Sequence, residues 1–183
     1  MKATQTLSDE HKVILRVLAA LETASTRLQA GESINPAFFT DAADFIKGFA
    51  DGCHHRKEEG VLFPAMIQAG LPRESGPVAV MLSEHEEGRR FTRGMRQAAE
   101  KLAAGDQDAR LEIVSNAQAY VRLLRQHIQK EDYILFPMAD KVIPPEQQPQ
   151  VNEDFDKVER EETGEGVHEK YLALAEKLTR EIG

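Results

Sequence analysis

Apolar residues recur at alternating three- and four-residue steps along four long stretches of the chain, the spacing that puts side chains on one face of an α-helix. The first stretch runs from about Ser8, a candidate N-cap, to Ala30, with Leu7, His11, Ile14, Leu18, Leu21 and Leu28 on one stripe; Gly31 ends it. Asn35-Pro36, a capping residue followed by proline at the first helical position, opens the second. Phe39, Ala43, Ile46, Ala50, His54, Glu58, Val61 and Ala65 then share a face until Gly70-Leu71-Pro72. A third helix is predicted from near Gly76-Pro77 to Gly105, with Val78, Met81, His85, Thr92, Met95 and Leu102 in register. The fourth, from about Asp106, aligns Ile113, Ala117, Tyr120, Leu124, His127, Glu131, Ile134 and Met138. Connections of roughly five to seven residues make successive helices antiparallel neighbours, which predicts an all-α, up-down-up-down four-helix bundle over residues 1–143.

Pro144-Pro145 breaks the pattern, and residues 144–183 read as an acidic helical extension. A hinge at Gly164-Glu165-Gly166 precedes a short final helix with Val167, Tyr171, Leu174 and Leu178 on one side. This segment has too little apolar content to fold alone and is expected to pack on the bundle.

Four histidines and two glutamates occupy positions where the stripes call for core residues, and they belong to a repeat. His54 to Pro64 aligns with His127 to Pro137 at an offset of 73 residues, each copy reading H-x-x-x-E-x-x-x-L-F-P. Upstream, Glu10-His11 matches Glu84-His85. The chain is thus two helix pairs related by a pseudo-twofold axis. A His and a Glu four residues apart on a helix project from one face, one turn apart, and can serve the same or adjacent metal ions. His11, His54, Glu58, His85, His127 and Glu131 therefore form a candidate set of metal ligands.

Leaving these groups buried without compensation would cost several kcal/mol per charge, and no Lys or Arg lies on the same stripes to pair with them. A metal ion supplies the compensation. Zinc normally takes four ligands, often with thiolates, while calcium and magnesium prefer oxygen alone. A nitrogen-rich set with two carboxylates suits two iron ions with an oxo or hydroxo bridge, manganese being the lesser option. Charge arithmetic agrees: two ferrous ions with two carboxylates, and two ferric ions with two carboxylates and an oxo bridge, both carry +2.

Composition narrows the remaining classes. The net charge is −8, and residues 146–166 hold eight acidic and two basic side chains, so the chain offers no basic stripe for nucleic acid and disfavours anionic membranes. No apolar run approaches the ~18 residues that span a bilayer, and a cytoplasmic protein is expected. Cys53 is the one cysteine, which excludes an intrachain disulfide and a thiolate-rich metal site; it reads as a small buried residue.

The order E-H, H-x-x-x-E-x-x-x-L-F-P, E-H, H-x-x-x-E-x-x-x-L-F-P resembles the hemerythrin-like HHE cation-binding family over roughly residues 7–140. The resemblance implies that His11, His54, His85 and His127 are terminal ligands and that Glu58 and Glu131 bridge two irons. Two positions depart from the oxygen-carrying hemerythrins. Arg89 stands where they have a further His, and Asp132 competes with Glu131 as the bridge of the second copy. Two residues are candidates for the missing fifth nitrogen: His55, otherwise a surface residue paired with Glu59, and His168, otherwise an exposed residue of the extension. Glu10 and Glu84 are candidate acceptors that orient imidazoles, and Tyr120, Phe63 and Phe136 are read as packing residues.

The leading expectation is a non-heme diiron protein that binds dioxygen, nitric oxide or peroxide for sensing, storage or detoxification, through an iron left less crowded beside Arg89. A second is an oxidoreductase acting on peroxide or nitric oxide, or an iron donor for cluster repair. A third is an iron-responsive regulatory module working through a protein partner. Steady turnover with a reductant, as against stoichiometric binding, separates the first two.

Overall fold

Helix α1 spans Lys2–Gln29 and begins well before the predicted cap at Ser8. Tertiary contacts explain the extra turn: Ala3 and Leu7 are buried, the Ala3 amide donates to Asn152 Oδ1 at 2.9 Å, and Thr4 Oγ1 donates to Asp140 Oδ1 at 2.9 Å. Ser8 donates instead to Asp132, 2.8 Å away. Gly31, at φ +90°, terminates the helix as the Glu32 amide reaches back to the Arg27 carbonyl at 3.0 Å. Helix α2 covers residues 36–68 and opens as predicted, with Asn35 Oδ1 accepting from the Ala37 amide at 3.0 Å. Helix α3 spans Gly76–Ala103, α4 residues 109–142, α5 residues 148–163 and α6 Val167–Ile182. The computed structural model describes residues 1–163 and 166–182, so Gly164 and Glu165 of the expected hinge lie outside the described residues. Among the described residues there is no strand.

Two apolar clusters fix the direction of each helix. One gathers Ala3 and Leu7 from the start of α1, Leu62 and Met66 from the end of α2, Val78 and Met81 from the start of α3, and Leu135 and Ala139 from the end of α4. The other gathers the opposite ends, including Leu18, Phe39, Met95 and Ile113. The four helices therefore alternate up and down, as the loop lengths predicted. Helix α3 packs on α4, α4 on α1, and α2 on α3, while α6 lies against both α1 and α2 and sends Ala175 and Leu178 into the second cluster. Close approach of α6 requires Gly48, because a Cβ there would fall 1.8 Å from Tyr171 Cζ. Helix α5 covers the first cluster with Val151 and Phe155.

The predicted stripes hold up to the glutamate of each motif and then slip by one residue. Ile134 is 54% exposed whereas Leu135 is 1% exposed, and in α2 Leu62 and Met66 are buried where Val61 and Ala65 had been expected. Each slip begins at a π-helical turn, Glu58–Leu62 and Glu131–Leu135, in which the amides of Phe63 and Phe136 bond to the carbonyls five residues back. Such a turn inserts one residue into the helical count. The motif supplies its own cause: Pro64 and Pro137 follow, and a proline ring clashes with the carbonyl four residues earlier, which a widened turn relieves. A longer π-wound stretch, Ile46–His55, carries the histidine of the first motif in α2.

Candidate metal centre

Between the two apolar clusters lies a polar layer in which His11, His54, His55, Glu58, His85, His127 and Glu131 are all buried. His54 and His55 are adjacent in sequence, and on a regular helix one of them would point outward. Here both face inward at the end of the π-wound stretch, where each residue turns less about the axis. The rings fall into two groups. His11 and His54 meet Nε2 to Nε2 at 3.1 Å, with Glu131 completing the group. His85 and His127 meet Nε2 to Nε2 at 3.0 Å, and His55 and Glu58 join them.

Each glutamate spans both groups. Glu131 places Oε2 3.2 Å from His11 Nε2 and Oε1 2.9 Å from His127 Nε2. Glu58 places Oε1 3.7 Å from His54 Nε2 and Oε2 3.4 Å from His85 Nε2. None of these four carboxylate oxygens has a hydrogen-bond partner.

The other ring nitrogen of all five histidines faces a carboxylate, and four of the five pairings cross from one helix to another. Nδ1 of His54 lies 2.9 Å from Glu10 and Nδ1 of His127 lies 2.9 Å from Glu84. Lys57 holds Glu10, and Lys130 holds Glu84, so the twofold pattern extends past the rings. Glu10 and Glu84 thus do orient imidazoles, each serving the histidine of the following motif and not its sequence neighbour. Nδ1 of His11 lies 3.0 Å from Asp132, and Nδ1 of His85 lies 2.7 Å from Glu59. Asp132 is therefore engaged at the back of a ring, and Glu131 is the carboxylate that reaches both histidine groups. Glu59 serves His85, so the expected His55–Glu59 pairing is replaced by His55 Nδ1 to Asp51 at 2.8 Å. Arg89 joins these two carboxylates, with Nε 3.1 Å from Asp51 and Nη2 2.7 Å from Glu59.

This last cluster breaks the symmetry. At the 73-residue offset His55 and Asp51 correspond to Ile128 and Leu124, and Arg89, four residues after His85, corresponds to Leu15, four residues after His11. A polar trio facing an apolar one was the signal in the sequence that could have assigned His55 to the interior.

Charge in the layer is tightly coupled. Burial, and then the Glu131 charge, hold the Glu58 carboxyl well above its usual range. Burial opposes ionisation of Glu131 too, but His127 and His11 outweigh it and hold its pKa down. Against the same burial, Glu131 and Glu84 raise His127 to about 9, and Asp132 and Glu131 raise His11. Burial lowers His54 to about 4 in spite of Glu10, and it lowers His55 and His85 as well.

The donor set fits a pair of metal ions. A carboxylate accepting from Nδ1–H fixes the tautomer that turns an Nε2 lone pair inward, the arrangement usual around metal-bound imidazole. Facing lone pairs and unpartnered carboxylate oxygens repel one another unless a cation lies among them. Among the described residues no Lys or Arg reaches into the layer, since buried Lys57 is spent on Glu10 and Glu159; without a metal the only positive charge facing Glu131 comes from protonating His11 and His127.

His168 is not brought to this layer. Its Nδ1 lies 3.0 Å from Glu159, in a separate group with Glu10 and Cys53 where the Lys57 ammonium already supplies the positive charge, 2.8 Å from Glu159. Burial and the Glu10 charge push the Cys53 thiol up to about 12, so it is inert. Phe136 stacks on His11 and Phe63 on His85, at 5.5 and 6.0 Å between ring centres, so both pack directly on ligand candidates.

Comparison with known proteins agrees with this arrangement. Proteins of Mycobacterium tuberculosis (strain H37Rv) and Mycobacterium bovis, described only as uncharacterized, are 27% identical over 181 residues, covering 99% of this chain and 70% of each relative. An iron-sulfur cluster repair protein, YtfE, of Musicola paradisiaca is 33% identical over 89 residues, 47% of this chain and 40% of that protein. No solved structure matches the chain. Residues 2–139 match the hemerythrin HHE cation binding domain, the segment that carries every residue of the buried His and Glu layer, and the chain belongs to that family.

Proposed function

We propose that the chain holds two iron ions in this layer and binds a small oxidant or diatomic molecule, either dioxygen, nitric oxide or peroxide. The observation that carries the reading is that Glu58 and Glu131 each present one oxygen to each histidine group. His11 and His54 would hold one ion, His55, His85 and His127 the other, and the two glutamates both. Paired irons supply single-electron redox chemistry and a position for an exogenous ligand. Manganese is the lesser option for the same donors.

The protein's contribution is placement and exclusion. Five carboxylates behind the rings hold the imidazoles in orientation and raise their basicity. Phe63 and Phe136 pack against the layer and, with the apolar clusters on either side, keep water from it. With His55 grouped beside His85 and His127, it would supply the nitrogen that Arg89 does not. The less crowded ion is then the one held by His11 and His54, and the small ligand is assigned to that side.

A second reading, turnover of peroxide or nitric oxide or donation of iron to damaged clusters, is supported by the likeness to the Musicola paradisiaca cluster repair protein. The buried, unpaired Cys53 thiol suits a reducing compartment, and we place the protein in the cytoplasm. Anaerobic reconstitution with ferrous iron, followed by metal analysis and optical spectra on exposure to oxygen, nitric oxide and peroxide, tests the proposal. Two irons per chain and a stoichiometric spectral change support binding; continued consumption with a reductant supports the second reading. One tightly held zinc would overturn both.

A further inference from the structure

A groove of about 480 Å³ runs between α2 and α3 on the outside of the three-histidine side. Its walls carry Lys47, Arg56, Arg89, Arg93 and Arg96, five cations in a chain whose net charge is −8. The two acidic residues of its lining, Asp51 and Glu59, are already engaged: each accepts from a buried imidazole and from Arg89. Arg96 is paired with Asp44 outside the groove. Lys47, on α2, and Arg93, on α3, have no carboxylate partner among the described residues. Two cations from the two helices thus line one concavity whose own carboxylates are both engaged by other groups.

We propose that this groove is a binding site for a small divalent oxyanion, phosphate- or sulfate-like, held between Lys47 and Arg93. Two cations without partners match a doubly charged ligand, and a concave basic surface on an acidic protein concentrates anions locally. The volume lies in the range of small-molecule sites, and the cleft between two helices favours a compact ligand over a protein surface. Arg89 adds a further donor, because its Nη1 pairs with the exposed Glu86 at 2.6 Å and a doubly charged oxyanion can compete for it. Binding of the oxyanion does not depend on the identity of any metal.

Equilibrium dialysis of the full chain as purified against radiolabelled sulfate, with ionic strength held constant by chloride, tests the proposal. One saturable sulfate per chain is expected, displaced by inorganic phosphate and weakened by about tenfold or more in the Lys47→Glu, Arg93→Glu double variant. Arg122→Glu, an exposed charge reversal on α4 outside the groove, controls for net charge and should retain wild-type binding. Repeating the dialysis after metal removal separates the groove from the metal layer: retention supports the groove, whereas loss on metal removal with no effect of the double variant would overturn it. Absence of saturable sulfate binding, or capture of polyglutamate without sulfate, would also overturn it, the latter pointing to an acidic protein partner.

Discussion

The ring of His55 stacks on that of His85 with centres 3.8 Å apart and planes inclined by 18°, while Asp51 holds the His55 Nδ1 at 2.8 Å. Stacking fixes the ring plane and Asp51 fixes its rotation, so the free Nε2 has one direction left to point. The neighbouring His54, one residue earlier, is aimed into the other group.

His55 and His168 should therefore behave oppositely. His55→Ala is expected to shift the ferric charge-transfer bands and to speed reaction with peroxide, with both irons retained through Glu58 and Glu131. His168→Ala should keep the wild-type spectrum. Optical titration and metal analysis of the two variants read the difference, and an unchanged spectrum in His55→Ala would remove it from the ligand set.

The matched carboxylates Glu10 and Glu84 should be unequal in stability but similar in metal affinity. Either one changed to Ala releases an Nδ1 and should weaken metal binding by ~10–100-fold. Glu10→Ala also strips a partner from Lys57, which is 1% exposed, whereas Lys130 beside Glu84 is 36% exposed. Breaking a buried pair costs ~3–5 kcal/mol, and an exposed one costs about 0–1 kcal/mol. Glu159 remains beside Lys57 and softens the first figure, but thermal melts should still rank Glu10→Ala clearly below Glu84→Ala.

Past the π turn, the residue frame makes a sharp mutational contrast. Leu135→Ala, at a 1% exposed position, should cost ~2–5 kcal/mol in chemical denaturation, and Ile134→Ala, 54% exposed, no more than about 0.5 kcal/mol. A regular α-helix through Glu131 would reverse the order.

Metal-free protein should show two widely separated histidine titrations. Burial lowers His54 to about 4, so its contribution to stability is present above the unfolded value of ~6.5 and is lost as pH falls through about 4. His127 is raised to about 9 by Glu131 and Glu84 against burial, so its contribution is present below ~6.5 and is lost as pH rises through about 9. Ring resonances followed by NMR across this range, with denaturation midpoints at matched pH, check both signs. Two rings titrating together near the ordinary histidine value would contradict the coupled layer.

The sequence by itself determined the four helices, their alternation and six residues of the polar layer, because helical periodicity and a repeated motif are local signals that survive without knowledge of neighbours. His11, His54, Glu58, His85, His127 and Glu131 stand on the predicted stripes and meet in the fold. What lay beyond local reading depended on winding and on contacts across the bundle. A helical count of 3.6 residues per turn left His55 outside and Ile134 inside; the π-wound stretch Ile46–His55 reversed the first and the π turn before Pro137 the second. Which carboxylate serves which ring was decided between helices: Glu10 reaches His54, and Asp132 reaches His11, 121 residues away in sequence. His168 lies instead beside Glu159 of α5, a neighbour that the packing of α5 and α6 decides. Six residues of the layer are thus written in the repeat, whereas the grouping of the rings into two and three depends on the rotation of His55 within a widened turn.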